Sequence, residues 1–223
     1  MSFIDDMKIG KKLIGGFLIV VLILVVVTAI GYIKMGDMDA ADTSMYVDRA
    51  VPLGQLGTSE GTFYQLRGDL YKSVLIPEEK DSALTNALAE IAVVDKEMAA
   101  YGASSMAADE KAEYEKFKVS WAGYKAESAV IMDLIRKGDT KQAIEKMKVD
   151  GKLSTFRKEV DAELSAMSDI NVNGAKTLSD SNTGLYNSSS MMLIIATIIG
   201  AIIAVVLALY MSCLLYTSDA ADE

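Results

Sequence analysis

Four residues in the stretch TSEGTFYQLRGDLYKSV carry side chains suited to holding an anion, and they recur at helical spacing: Glu60, Tyr64, Arg67 and Tyr71. Intervals of four and three place them on one face of a helix. A guanidinium flanked by two phenols suits a carboxylate, which takes paired N–H donors from the arginine and hydroxyl donors from the tyrosines. This face is rotated away from the Phe63, Leu66 and Leu70 stripe, so it is free to meet a ligand or the same face of a second subunit. Arg49 and Lys148 are weaker candidates for the same task. The competing reading is structural: Arg67 pairs with Glu60 or Asp69, or is merely solvated.

Little other chemistry is available. The chain has no His, and its single Cys is Cys213. That removes His- or Cys-based zinc sites, His-ligated haem, His general bases and disulfides. No acid–base constellation stands out among the carboxylates. The expectation is a protein that is not an enzyme, with no catalytic residue, no cofactor and no metal.

The elements that must present Arg67 read as helices throughout. There are only two Pro, and most Gly are scattered singly. Three punctuation points, IPEEK at 76–80, YGASSMAADE at 101–110 and RKGDT at 136–140, combine helix breakers with capping chemistry. At the second, Ser105 is the expected cap, with Asp109 and Glu110 in the first turn. At the third, Gly138 ends one helix and Asp139 or Thr140 caps the next. Four helices follow, near 34–76, 78–101, 105–137 and 139–190. Each has an apolar stripe: Leu56, Ser59, Phe63, Leu66, Leu70 and Ser73 on the first; Leu84, Leu88, Ile91 and Met98 on the second. The third carries Tyr114, Phe117, Trp121, Tyr124, Ser128, Ile131 and Ile135, and the fourth Leu153, Phe156, Val160, Leu164, Met167 and Ile170. Short connections between such helices imply an all-α, up-down-up-down four-helix bundle. The aromatic stripe on the third helix reads as core. Pro52 should free a carbonyl near Asp48 and bend the first helix.

Two uncharged segments bracket the bundle, residues 13–33 and 191–210. Each is about 20 residues, enough at about 1.5 Å per residue to cross a hydrocarbon layer of roughly 30 Å. The first is longer than a cleaved signal's apolar core and runs on into a helical pattern, so it reads as a retained span. Lys8, Lys11 and Lys12 precede it, which places the N-terminus in the cytoplasm. The expected organisation is a cytoplasmic N-terminus at 1–12, a first transmembrane helix at 13–33, an extracytoplasmic bundle at 34–190 and a second transmembrane helix at 191–212. Residues 34–190 hold 19 basic against 26 acidic residues. A net charge near −7 argues against nucleic acid and against an anionic lipid surface as partners.

The last residues, CLLYTSDAADE at 213–223, contain no Lys or Arg, although the second span should return the chain to the cytoplasm. The string resembles the read-through translation of a transposase adapter. It is expected to be non-native, the gene having been cut just after Ser212 so that the native cytoplasmic part is missing; a genuine short acidic tail is the alternative.

Several stretches together resemble the N-terminal part of a methyl-accepting chemotaxis protein with a four-helix-bundle ligand-sensing domain. They are MKIGKKLIGGFLIVVLIL, SMYVDRAVPLGQLG followed by FYQLRGDLYKSV, MDLIRKGDTKQAIEKM, and ALYMS after the second span. The resemblance covers residues 1–212 and rests on order and spacing. It implies a homodimer joined through the first helix in the bacterial inner membrane. It also implies a small-molecule ligand or a periplasmic binding protein acting on the bundle. Output would pass through a HAMP module to a cytoplasmic histidine kinase and its coupling protein. In relatives that bind small acids, the site lies high on the bundle near the first-helix interface, which matches Arg67. The sensor half of a membrane histidine kinase and a two-span channel subunit are the alternative functions.

Overall fold

A computed structural model describes residues 9–219, with side chains for residues 10–212. The expected cytoplasmic N-terminus therefore falls outside the described residues for positions 1–8. Of the expected adapter tail, residues 220–223 lie outside them, and 213–219 are described as helical backbone only. In chain order the elements are α1 (Ile9–Met45), a π-helical turn (Tyr46–Ala50), α2 (Val51–Leu75), a 3-10 turn (Pro77–Glu79), α3 (Lys80–Gly102), α4 (Ala108–Arg136), α5 (Thr140–Met147) and α6 (Lys152–Asp219). No strand occurs among the described residues. They divide into two compact units, one comprising the residues up to Asp42 and from Asp180, the other Thr43–Ser179.

In the first unit, α1 and α6 each carry a long apolar window, of mean hydropathy 3.2 and 3.0, with none of either window buried. Both helices are long and apolar enough to cross a membrane. They approach closely at Gly200, where a Cβ would sit 2.9 Å from Ile23 Cγ2. Small residues at such crossings let helix backbones come together in lipid.

The second unit is built on the stripes. Leu56, Ser59, Phe63, Leu66, Leu70 and Ser73 of α2 are all buried, as their spacing requires. On α4, Phe117, Trp121, Tyr124, Ser128, Ile131 and Ile135 are buried, with Tyr114 packed partly against them. Tyr114, Phe117, Trp121 and Tyr124 stack in succession, and Phe63 meets Tyr124 edge-on at 4.8 Å between centroids. These rings are core, as expected, and they join α2 to α4. Leu153, Val160, Leu164 and Met167 of α6 complete one cluster shared by α2, α3, α4, α5 and α6.

The structure corrects several expectations. Leu88 is exposed; α3 buries Ala83, Leu84, Ala87, Val94, Met98 and Tyr101 instead, so small residues rather than Leu88 face α2. Ser105 does not cap α4. Ala107 holds the cap position, and the Glu110 carboxylate accepts from its backbone N–H at 3.4 Å. The fourth helix is interrupted: α5 ends at Met147, and α6 begins at Lys152. Lys148 is extended, and Gly151 lies so close that a Cβ would be 2.6 Å from the Lys146 carbonyl. Gly138 and Asp139 act as expected. The glycine takes a positive φ of 82°, and Asp139 accepts from Gln142 N–H at 3.1 Å. Ahead of Pro52 the chain forms the π turn, in which Val51 N–H reaches back to the Tyr46 carbonyl. The proline's missing donor is thus absorbed by a wider turn.

Candidate functional site

Arg67 sits on α2, three residues before buried Leu70 and one turn before Tyr71. Burial of the Phe63–Leu66–Leu70 stripe holds the α2 backbone in place and leaves Arg67 half-buried at its edge. The ion-pair reading of this residue does not apply. Among the described residues no carboxylate lies within ion-pair distance of it, and its Nε is buried without a hydrogen-bond partner. Its guanidinium lies over the Tyr64 ring, 5.3 Å from the centroid, a cation–π arrangement.

Arg67 and Tyr71 line a small cavity, together with Tyr124 of α4 and Ser154 and Arg157 of α6. Its volume is about 20 Å³, room for a single water. Tyr124 is fully buried, with the Ser128 side chain beside its hydroxyl. Burial pushes this phenol up from its ordinary range, with Arg67 pulling the other way, so it stays a protonated donor at neutral pH. Tyr71 donates to the Met147 carbonyl at 3.2 Å, which ties α2 to the end of α5. Arg157 bonds Asp161 one turn on, at 2.7 Å. Two arginines and a buried phenol thus line one cavity.

The expected residues are therefore only partly brought together. Arg67 and Tyr71 share the cavity; Tyr64 lies beneath the Arg67 guanidinium, exposed, and does not line it. Arg49 lies in a separate, buried network. Its Nη1 reaches Glu110 Oε2 at 3.4 Å and Asn171 Oδ1 at 3.3 Å. Lys148 pairs with Glu145 at 2.5 Å on the loop after α5. Sequence reasoning missed Arg157, Tyr124 and Ser154 as neighbours of Arg67. Tyr124 was visible as a polar-tipped ring on a core stripe, whose hydroxyl must meet something. Arg157 had no local signal, because its approach to Arg67 depends on the break at 148–151.

Among the described residues no cluster of three or more His, Cys, Asp or Glu could hold a metal. A family model described as a four-helix-bundle sensory module for signal transduction matches residues 6–186. The chain belongs to this family, the sensory modules of chemotaxis receptors. No curated protein and no solved structure matches the chain. The sensory module accounts for the shared core of α2 to α6, and the two apolar helices accord with membrane association.

Proposed function

We propose that this sensory module detects a small carboxylate at the Arg67–Arg157 cavity. It would report occupancy across the bacterial inner membrane, with the N-terminus cytoplasmic and residues 34–190 outside. The observation that carries the reading is that Arg67, whose Nε is buried without a hydrogen-bond partner, lines one cavity with Arg157, Tyr71 and Tyr124. Protein interiors rarely leave such groups unsatisfied, and a site for an anionic guest is one physical reason to do so. A carboxylate would take paired N–H donors from the guanidinium groups and an O–H from Tyr124 or Tyr71.

The present cavity holds no more than a water, so ligand selects a state in which the corner between α2, α5 and α6 is wider. A ligand shifts such an equilibrium only through differential affinity for its two states. Displacements of about 1–2 Å between packed helices are typical of such switches. Because α1 leads into α2 through the π turn, and α6 runs unbroken from Lys152 to its apolar stretch, the shift has a helical path to the membrane. A homodimer through the first helix, and a HAMP linker governing a histidine kinase, complete the proposed receptor.

Isothermal calorimetry on the full chain in lipid nanodiscs tests this, with a panel of short mono- and dicarboxylates. Arg67→Ala should weaken the binding acid by about 10- to 100-fold, the worth of a lost charged hydrogen-bonding partner. Equal affinity in the substituted chain removes the assignment.

A further inference from the structure

At the end of the Thr43–Ser179 unit where the chain enters and leaves, four helical segments meet in one polar knot. Glu110 of α4, Tyr101 of α3 and Asn171 of α6 are each fully buried, and Arg49 of the π turn reaches in from the side. The bonds differ in quality. Glu110 Oε1 accepts from Tyr101 Oη at 2.6 Å and from Asn171 Nδ2 at 2.7 Å. Asn171 Nδ2 also lies 3.1 Å from Tyr101 Oη and 3.0 Å from the Met167 carbonyl. Arg49 makes only the two long contacts, at 3.3 and 3.4 Å, and its Nε is buried without a partner. Ion-assisted N–H···O bonds normally close to about 2.7–2.9 Å, so the Arg49 seam is stretched while the α3–α4–α6 seam is tight.

Two further features concern that same seam. A Cβ at Gly174 would sit 2.8 Å from the Arg49 guanidinium carbon, so a larger residue there would shift the Arg49 head from its place along α6 one turn beyond Asn171. Arg49 also belongs to the π turn, whose extra residue can pass into the flanking helix and change the register of what precedes it. Below this turn α2 is anchored, because Pro52 and Leu56 are buried.

We infer that Arg49, Glu110, Tyr101 and Asn171 form a one-sided latch. Asn171 fastens α6 to the α3–α4 hairpin through Glu110 and Tyr101. Within this unit the segment around Arg49 joins the knot through the two long Arg49 contacts, and it is the segment that slips, with the π turn taking up the change. Motion at this end is then a slide of the segment around Arg49 past a joined α3, α4 and α6, not a slide of α6 away from them. The latch stands on the geometry of this unit and is independent of which ligand the module senses.

Spin-label distances on the full chain in nanodiscs, in a Cys213→Ser background, test this without ligand. One label pair, Val47→Cys with Val172→Cys, spans the stretched seam; the other, Ala112→Cys with Val172→Cys, spans the tight one. All three sites are exposed. In the otherwise unsubstituted chain, the 47–172 distribution should be broader than the 112–172 distribution. Glu110→Gln keeps an oxygen for Tyr101 and Asn171 but removes the charge that holds Arg49. It should broaden or split the 47–172 distribution and leave 112–172 unchanged. Arg49→Met, made from the other side of the seam, should act the same way. Equal broadening of both pairs, or no change in either, overturns the latch. If neither variant folds, equal widths in the unsubstituted chain overturn it by themselves.

Discussion

The Arg67 guanidinium has a buried nitrogen without a partner on the wall of a cavity it shares with the Tyr124 phenol, and the chain has not filled the space with apolar side chains. Leaving such a group unpaired costs about 1–3 kcal/mol, so the corner is strained relative to a packed alternative. A second residue-scale tension lies between α2 and α3. Burial raises the Glu90 carboxyl to about 7, and the adjacent Asp69 carboxylate adds to the rise by repulsion and by sharing a proton. A carboxyl whose folded value is raised stabilises the fold fully below its unfolded value, and that contribution is lost as pH rises through about 7. Thermal melts between pH 5 and 8 should therefore show falling stability, and Glu90→Gln should flatten the slope. An equally steep slope in the substituted chain would rule out the pair as its source. Arg67 and Tyr71 were legible as one face from spacing alone. Asn171 was within reach of the same logic, because it continues the Val160, Leu164, Met167 stripe. Its partners Tyr101 and Glu110 lie 70 and 61 positions away, and no local pattern announces them.

At the scale of elements, helical periodicity worked best where large side chains carry the stripe. The α2 and α4 positions are buried almost without exception, because Phe63, Trp121 and Tyr124 leave one way to pack. On α3 the close seam with α2 uses Ala83 and Ala87, and alanines give a weaker periodic signal than the exposed Leu88. The break in the fourth helix follows from DGK at 150–152. The glycine there is imposed by close approach to the Lys146 carbonyl, which a sequence does not reveal. Truncating the ring at the centre of the core should be severe. Phe63→Ala should cost about 3–5 kcal/mol, read as a large fall in the denaturation midpoint of the full chain in detergent. A loss below about 1 kcal/mol would mean the aromatic layer is not the core, since surface changes stay within roughly half that.

For the whole molecule, segregation of charge and apolarity was the clearest message of the sequence. A net charge of −9 coexists with two windows of hydropathy at or above 3.0, and no residue of those windows is buried. A lipid environment resolves that contrast, and membership of the sensory-module family gives it a purpose. What composition cannot supply is the make-up of the Arg67 corner and of the Arg49 knot, each built from contacts between helices far apart in the chain. The central claim is that occupancy of the first is felt at the second. Hydrogen–deuterium exchange on the full chain in nanodiscs, with and without the carboxylate that binds, tests it most directly. The account predicts slower exchange around residues 64–71 and 147–157, together with altered exchange at 46–50. Protection confined to the cavity, with residues 46–50 unchanged, would contradict it.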